Sequence, residues 1–341
     1  MARLVLVHVD IVANVVCPQA IHRSFLRPVQ RDGQLLGRLR IVHRRGNVRR
    51  NAVRRERDAF VRFARMMRFT KFTGAGNDFV VTVPGAELDR NGSAAARTLC
   101  SRRDGVGVDG LILVYPQDES AGVRVRFFNP DGSEFSTCGN GTRCAARFAV
   151  ERGLVGTGPF TVVTSAGPIE ARVDDQRVRL EYVLPAERVG PITVAGPLGP
   201  ANGWLMHFGV PHFVLPLDEL PEGPIEELCS RIRSDPQLGP EGANVNLIEM
   251  RDKSAGVLRT FERGVEGETL ACGSGSMAAV LAMWAEGHAD RSVALDVRGG
   301  ETLQIDLVDE PVFDGTPIRV GLAGSAIHVF EGEFPDLCTE E

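Results

Sequence analysis

One short text occurs twice in this chain. Cys138-Gly139-Asn140-Gly141, with Ala145 seven residues past the cysteine, returns as Cys272-Gly273-Ser274-Gly275 with Ala279 at the same spacing. Upstream, Phe79-Val80 stands 59 residues before Cys138 and Phe213-Val214 stands 59 residues before Cys272. One offset of 134 residues therefore relates both landmarks. A repeat that long is a whole domain's worth of chain, which commits the fold to two like halves. Two such halves face to face would aim equivalent elements at one shared cleft.

The repeated element has a chemical reading. Arg259 to Met283 reads as strand, loop and then a helix opening on Cys272, with small residues that free the backbone to wrap an anion. Unpaired N–H groups and the positive end of the helix dipole favour thiolate over thiol, so both Cys138 and Cys272 are expected to be acidic. The plain alternative, a buried structural cysteine beside a glycine turn, suits a single Cys-Gly pair better than a duplicated one.

The 341 residues can bury two cores, and 43% hydrophobic with 24% charged residues is the balance of a soluble globular protein. No run approaches the length of a membrane span. Charge is uneven: residues 1–65 hold 15 Arg, no Lys and four acids, a balance of +11, against −16 for the rest. A nucleic-acid-binding arm lacks aromatic interleaving, with Phe25, Phe60 and Phe63 alone, and a transit peptide lacks serine, with Ser24 alone. The favoured reading is a poorly ordered extension, translated from upstream of a start at Met66 or Met67, with no catalytic role. Seven cysteines without a CxxC pair or a secretory leader support neither zinc nor a disulfide framework, and fit a reducing cytoplasm.

Past that segment the expected organisation is a first domain over 66–195, a second over 196–332 and a loose tail, 333–341. Strands are expected at Arg68–Phe72 and Phe79–Val83 around the polar elbow Gly76-Asn77-Asp78. Helices are expected at Ala94–Arg103, Gly139–Arg152 and Ile225–Ser234, and a Pro/Gly-rich boundary near Gly190–Gly203. Gly105, Gly107 and Gly110 match G-x-G-x-x-G but precede the β-like run Leu111–Val114 instead of opening a helix, so no dinucleotide site is inferred. In the second half Val210-Pro211-His212 occupies the elbow, and that position alone lifts His212 above a structural histidine.

Two acid/base groups on opposite faces of one carbon suit inversion of a stereocentre, one removing the α-proton and the other returning a proton from the far side. Pyridoxal phosphate is not expected, because the chain has two lysines, Lys71 and Lys253, and neither lies in a phosphate-binding context. No cofactor and no metal are inferred. The carbanion would be stabilised by the two Gly-rich helix N-termini.

The strings FTGAGNDFVV, FNPDGSEFSTCGNGTRC, GANVN and FERGVEGETLACGSG together resemble the diaminopimelate epimerase family, over about Arg68 to Phe330. The resemblance implies an α+β fold of two pseudo-symmetric domains, each a mixed β-sheet wrapped around a central α-helix. It implies cofactor-independent conversion of L,L-2,6-diaminopimelate to the meso form, a step in lysine and peptidoglycan precursor synthesis, and a homodimer acting on a small molecule, with no nucleic-acid or membrane partner. It makes Cys138 and Cys272 the acid/base pair, with His212 and Glu262 assisting. Substrate contacts would come from Asn77, Asn129, Gly139, Asn140, Asn244, Glu262, Arg263, Gly273 and Ser274. Family members commonly carry Asn where this chain has Val210, removing an amide expected at the reacting end, and some carry Gln at Gly110. The alternative is a related racemase of proline, hydroxyproline or histidine, against which Asn140 and the Glu262-Arg263 pair argue.

Overall fold

The computed structural model describes residues 27–31, 34–38, 66–117, 122–196 and 199–335. The chain forms two compact units, Met1–Arg65 and Met66–Glu341. In the first, β1 (Arg27–Arg31) pairs antiparallel with β2 (Gln34–Arg38). The expectation of a poorly ordered extension otherwise lies outside the described residues.

The second unit is built twice from one plan. Its first lobe runs β3 (Met66–Gly74), β4 (Asn77–Thr82), α1 (Ala86–Arg90), α2 (Gly92–Cys100), β5 (Gly110–Pro116), β6 (Gly122–Phe128), β7 (Glu134–Phe135), α3 (Gly139–Glu151), β8 (Phe160–Thr164), β9 (Gly167–Asp174) and β10 (Arg177–Gly196). Its second runs β11 (Gly199–Phe208), β12 (Val210–Pro216), α4 (Glu226–Arg233), β13 (Asn244–Asp252), β14 (Ala255–Glu262), β15 (Gly267–Thr269), α5 (Gly273–Ala285), β16 (Ser292–Val297), β17 (Thr302–Leu307), β18 (Asp314–Ser325) and β19 (Ile327–Pro335).

The pairings repeat in kind. β4 runs parallel to β5 as β12 does to β13, and β6 runs parallel to β8 as β14 does to β16. The antiparallel pairs β3–β4, β5–β6 and β8–β9 are matched by β11–β12, β13–β14 and β16–β17. Each sheet is therefore mixed, and each curls round one helix, α3 or α5. From Gly275 to Met283 every residue of α5 is buried, so this helix is apolar on all sides as a central helix must be. α2 packs Ala95, Ala96 and Leu99 outside the first sheet, and α4 packs Cys229 and Ile232 outside the second.

The lobes are joined by exchange. β10 and β18 pair with each other, the far end of β10 then pairs with β11, and β19 returns to pair with β3. Residues 190–203, expected as a Pro/Gly-rich boundary, instead lie largely in the two arms of the β10–β11 hairpin, whose register shifts between Val189 and Ile192 at the Gly190-Pro191 bulge. Likewise the tail expected over 333–341 is not loose as far as Pro335, which pairs with Met66. The helix expected at Ala94–Arg103 is α2, which starts two residues earlier and ends at Cys100, and the short α1 ahead of it was not foreseen. No described helix is long and apolar enough to cross a membrane.

Candidate active site

Both central helices begin on the cysteines. Cys138 and Cys272 are the N-caps of α3 and α5, each with an extended backbone, and each Sγ accepts the N–H of the residue three further on, Gly141 or Gly275, at 3.4 Å. That leaves the first two N–H groups of each helix, at Gly139 and Asn140 and at Gly273 and Ser274, ahead of any intrahelical acceptor. The two helix starts meet. A Cβ built on Gly273 would lie 3.9 Å from the Gly139 Cα, and Leu322 of β18 underlies both glycines. A side chain at Gly273 would press on Leu322 Cδ2 at 3.0 Å, whereas one at Gly139 would make ordinary contact.

A chain of amides ties the caps across the lobes. Asn140, 4% exposed, donates to Asn77 Oδ1 at 2.8 Å and reaches the Ala271 carbonyl, next to Cys272, at 3.5 Å. Asn77 donates in turn to Asp109 Oδ2 at 3.2 Å. The elbow before Asn77 turns in two residues, Ala75 at φ 51° and Gly76 at φ 90°, because β3 and β4 reach further toward each other than the strands expected at Arg68–Phe72 and Phe79–Val83. A side chain at Gly76 would strike Leu270 two residues ahead of Cys272, so the elbow of one lobe rests on the cap loop of the other.

In the second lobe the equivalent elbow buries His212 completely. Asn246 Nδ2 lies 3.2 Å from its Nδ1 and 3.4 Å from the Phe213 carbonyl, while Asn246 Oδ1 accepts from Thr260 at 3.0 Å. The Phe213 carbonyl fixes the amide orientation, so His212 Nδ1 accepts and its proton sits on Nε2, which has no partner among the described residues. Burial pushes this imidazole down to about 3, aided by the charge of Arg263, so it is neutral near pH 7.

Glu262, at the end of β14, accepts from Thr269 Oγ1 at 2.6 Å. Burial raises its carboxyl above the usual range. The thiols correct the expectation of acidity. Burial pushes Cys138 up in spite of the Gly141 N–H and the Arg143 charge, and pushes Cys272 up to about 12, with the Glu262 carboxylate the next cause. Cys138 is half-buried and Cys272 buried, and in such surroundings desolvation of sulfur outweighs one helix terminus.

The remaining expected residues are tied into their own loops. Asn129 donates to Ser133 Oγ at 3.0 Å, Asn244 accepts the backbone N–H of Arg263 at 2.8 Å, and the Arg263 guanidinium pairs with Glu241 at 2.8 Å. Val210 is 40% exposed, and a side chain at Gly110 would crowd the Phe128 carbonyl at 3.1 Å. Lys71 is held by Asp78 at 2.6 Å. The described residues contain no cluster of three or more His, Cys, Asp or Glu arranged to hold a metal. Arg143, Asn246 and Leu322 are additions the sequence reading lacked. Two asparagines two residues apart, Asn244 and Asn246, on one face of an otherwise apolar strand start could have flagged Asn246, and an arginine within the core helix could have flagged Arg143.

The two-lobed sheet-and-helix plan with cap-to-cap helices has solved counterparts. One is a Bacillus anthracis phenazine biosynthesis protein of the PhzF family, at TM-score 0.61 and 16% identity, covering 79% of this chain and 99% of that one. Another is a probable proline racemase from Agrobacterium radiobacter, at TM-score 0.57 and 17% identity, covering 79% of this chain and 92% of that one. At that identity the likeness is one of fold. Sequence relatives narrow it: the diaminopimelate epimerase of Aquifex aeolicus is 36% identical over 283 residues, covering 79% of this chain and 98% of that protein. The fold, its paired caps and these relatives define an isomerase of the two-lobed α+β class. The diaminopimelate epimerase family profile matches residues 69–184 and 204–318, once on each lobe, and the chain belongs to that family.

Proposed function

We propose that this chain interconverts the L,L and meso forms of 2,6-diaminopimelate without a cofactor, Cys138 and Cys272 serving as the two acid/base groups. The observation that carries the reading is the meeting of the two thiol-capped helices, with the Gly139 Cα and the Cβ direction of Gly273 3.9 Å apart. Sulfurs capping adjacent helix starts in opposed lobes can flank one carbon. One sulfur takes the α-proton as a thiolate while the other gives a proton from its thiol, so each turnover leaves the charge on the opposite sulfur.

The electrostatics suit this division of labour. A dry site that raises thiols keeps the donor protonated, and the α-ammonium of an entering substrate supplies the positive charge that a buried thiolate lacks. The N–H groups of Gly139, Asn140, Gly273 and Ser274 support the reading as donors to the α-carboxylate, where charge builds as the proton leaves. His212, neutral, offers an Nε2–H. Asn77 sits within the cap network, while Asn129, Asn244, Glu262 and Arg263 are the polar groups assigned to the distal amino and carboxylate ends, Arg263 exchanging Glu241 for the substrate carboxylate.

The test is α-deuterium incorporation in heavy water by pyridoxal-free protein, over diaminopimelate, proline, hydroxyproline and histidine, for the parent and for Cys138→Ala and Cys272→Ala. Inversion with exchange on diaminopimelate alone, lost in both variants, is expected. Inversion that persists in either variant would refute the two-thiol mechanism, and exchange confined to proline or another single-centre amino acid would refute the substrate.

A further inference from the structure

Two arginines away from the caps make the same set of bonds, one in each lobe. Arg126 of β6 holds Glu134 of β7 in a two-pronged pair, Nε to Oε1 at 2.8 Å and Nη2 to Oε2 at 2.7 Å. Arg259 of β14 holds Glu268 of β15 in the same way, both bonds at 2.7 Å. The third nitrogen of each reaches the outer helical layer. Arg126 Nη1 donates to the carbonyl and the carboxylate of Asp89 in α1, at 3.1 and 3.0 Å, and Arg259 Nη1 donates to the carbonyls of Pro221 and Gly223 just ahead of α4. Each guanidinium thus ties together a core strand, the strand that leads to a cap, and the layer outside the sheet.

The placement repeats against the cysteines. Each arginine stands two residues ahead of a phenylalanine, Phe128 or Phe261, that pairs across the ladder with the glutamate, a diagonal contact on the sheet face turned to α2 or α4. Each glutamate stands four residues ahead of its cap, Glu134 before Cys138 and Glu268 before Cys272. Between phenylalanine and glutamate lies a loop, 129–133 or 262–267, carrying Asn129 in one lobe and Glu262 with Arg263 in the other. The surroundings of the two pairs are not shared. The second loop is one residue longer, and the side chains of Arg126 and Glu134 are 25% and 38% exposed against 8% and 10% for Arg259 and Glu268. An ion pair adds little stability at a surface, and in an interior it often does no better than a well-packed apolar pair. A pair kept in both settings at one spacing from the thiol fits a task of position, because the flat fork of an arginine fixes the direction of a carboxylate as well as its distance.

Resting on the two-thiol reading and on the distal role it gives these loops, we propose that Arg126 and Arg259 are positioning residues: each clamps its glutamate so that the loop between them stands preformed at a fixed reach from its thiol. The span from reacting carbon to distal groups is then set before a substrate enters, and it selects by length. A ligand with polar groups at both ends gains from the loops and the caps together, whereas a single-centre amino acid gains from the caps alone. Opening either clamp loosens the loop of that lobe and weakens binding more than turnover.

Kinetics and amide exchange on the full chain test this. The apolar double variant Arg259→Met/Glu268→Leu removes one clamp without leaving a lone charge, and Arg126→Lys keeps a cation but loses the fork of the other. Expected in both is a KM for diaminopimelate raised about tenfold, with kcat within about threefold of the parent. In substrate-free protein, hydrogen exchange followed by peptide mass spectrometry should quicken across 129–133 in Arg126→Lys, where the Asn129 and Gly132 amides bond within the loop, and stay unchanged across 142–149 of α3. A folded double variant with the parent's KM overturns the proposal. So does unmoved exchange across 129–133 in Arg126→Lys, a partly exposed pair whose loss the fold survives, even if the double variant does not fold. Failure of the parent to exchange the α-proton of diaminopimelate would instead sink the functional reading, and the loop amides would still report on the clamp.

Discussion

Gly141 and Gly275 occupy the same position in the two lobes, each donating its N–H to a cap sulfur, yet alanine should be tolerated at one and not at the other. At Gly275 the new methyl would lie 2.3 Å from Asn246 Oδ1 and 3.3 Å from Cys272 Sγ. Oδ1 must retreat by about 1 Å to reach ordinary contact, and it belongs to a completely buried amide bonded to Thr260 and His212. Losing one such bond costs about 1–3 kcal/mol and the overpacking about 1–3 more, against at most about 1 kcal/mol gained when alanine replaces glycine in a helix. The net is a destabilisation of about 1–6 kcal/mol. At Gly141 the methyl meets Phe127 Cε1 at 3.1 Å and Ile112 Cδ1 at 3.2 Å, apolar groups that need yield by a few tenths of an ångström. There the propensity gain and the crowding nearly cancel, within about 1 kcal/mol. Urea unfolding of the two variants beside the parent measures the difference, and kcat/KM reads the site, where Gly275→Ala also releases the His212 ring. Equal stabilities for the pair, or a Gly275→Ala protein more stable than its parent, would refute the claim that Asn246 is wedged against this helix start.

Three further outcomes are expected. Leu322→Ala removes the side chain underlying both cap glycines, so it should cost about 2–5 kcal/mol in urea unfolding and lower kcat more than it raises KM; a loss below about 1 kcal/mol would mean that the caps do not rest on it. The unfolded chain protonates His212 below about 6.5, whereas the folded chain refuses that proton down to about 3, so this contribution is complete above pH 6.5 and declines as pH falls through that window. The stability gap between the parent and His212→Gln should therefore shrink by about 1.4 kcal/mol per pH unit on acidification, and a constant gap contradicts a buried neutral ring. Arg259→Met leaves Glu268, its partner at 2.7 Å with both side chains at most 10% exposed, with Arg298 at 3.9 Å, and should destabilise by about 3–5 kcal/mol, most of which Glu268→Leu restores in the double variant.

Much of this was legible in the chain because it rests on local rules applied twice. The 134-residue offset foretold the repeated pairing order, and a cysteine before Gly-x-Gly foretold each helix start. What stayed hidden depends on distant neighbours. Gly190-Pro191 reads as punctuation until β11 is seen beside it, carrying the chain through a bulge instead of a linker. β19 exposes most of its side chains, and its partner lies at the opposite end of the unit, so no period in the sequence marks it. Thiol acidity went wrong for the same reason. The helix terminus is visible in sequence, but the burial that outweighs it is set only by the folded packing around each sulfur.

The return of β19 to β3 also sets a constraint on synthesis. Thr73 pairs with Ile327 and Met66 with Pro335, so a strand among the earliest made waits for one of the last to leave the ribosome. A nascent chain can close the β11 lobe, whose outer strand comes from β10, while the older lobe still holds an open edge. The half translated first is thus the half finished last, and truncation by a dozen or so residues at the C-terminus strikes not the tail but the sheet that carries Asn77 and encloses the Cys138 helix.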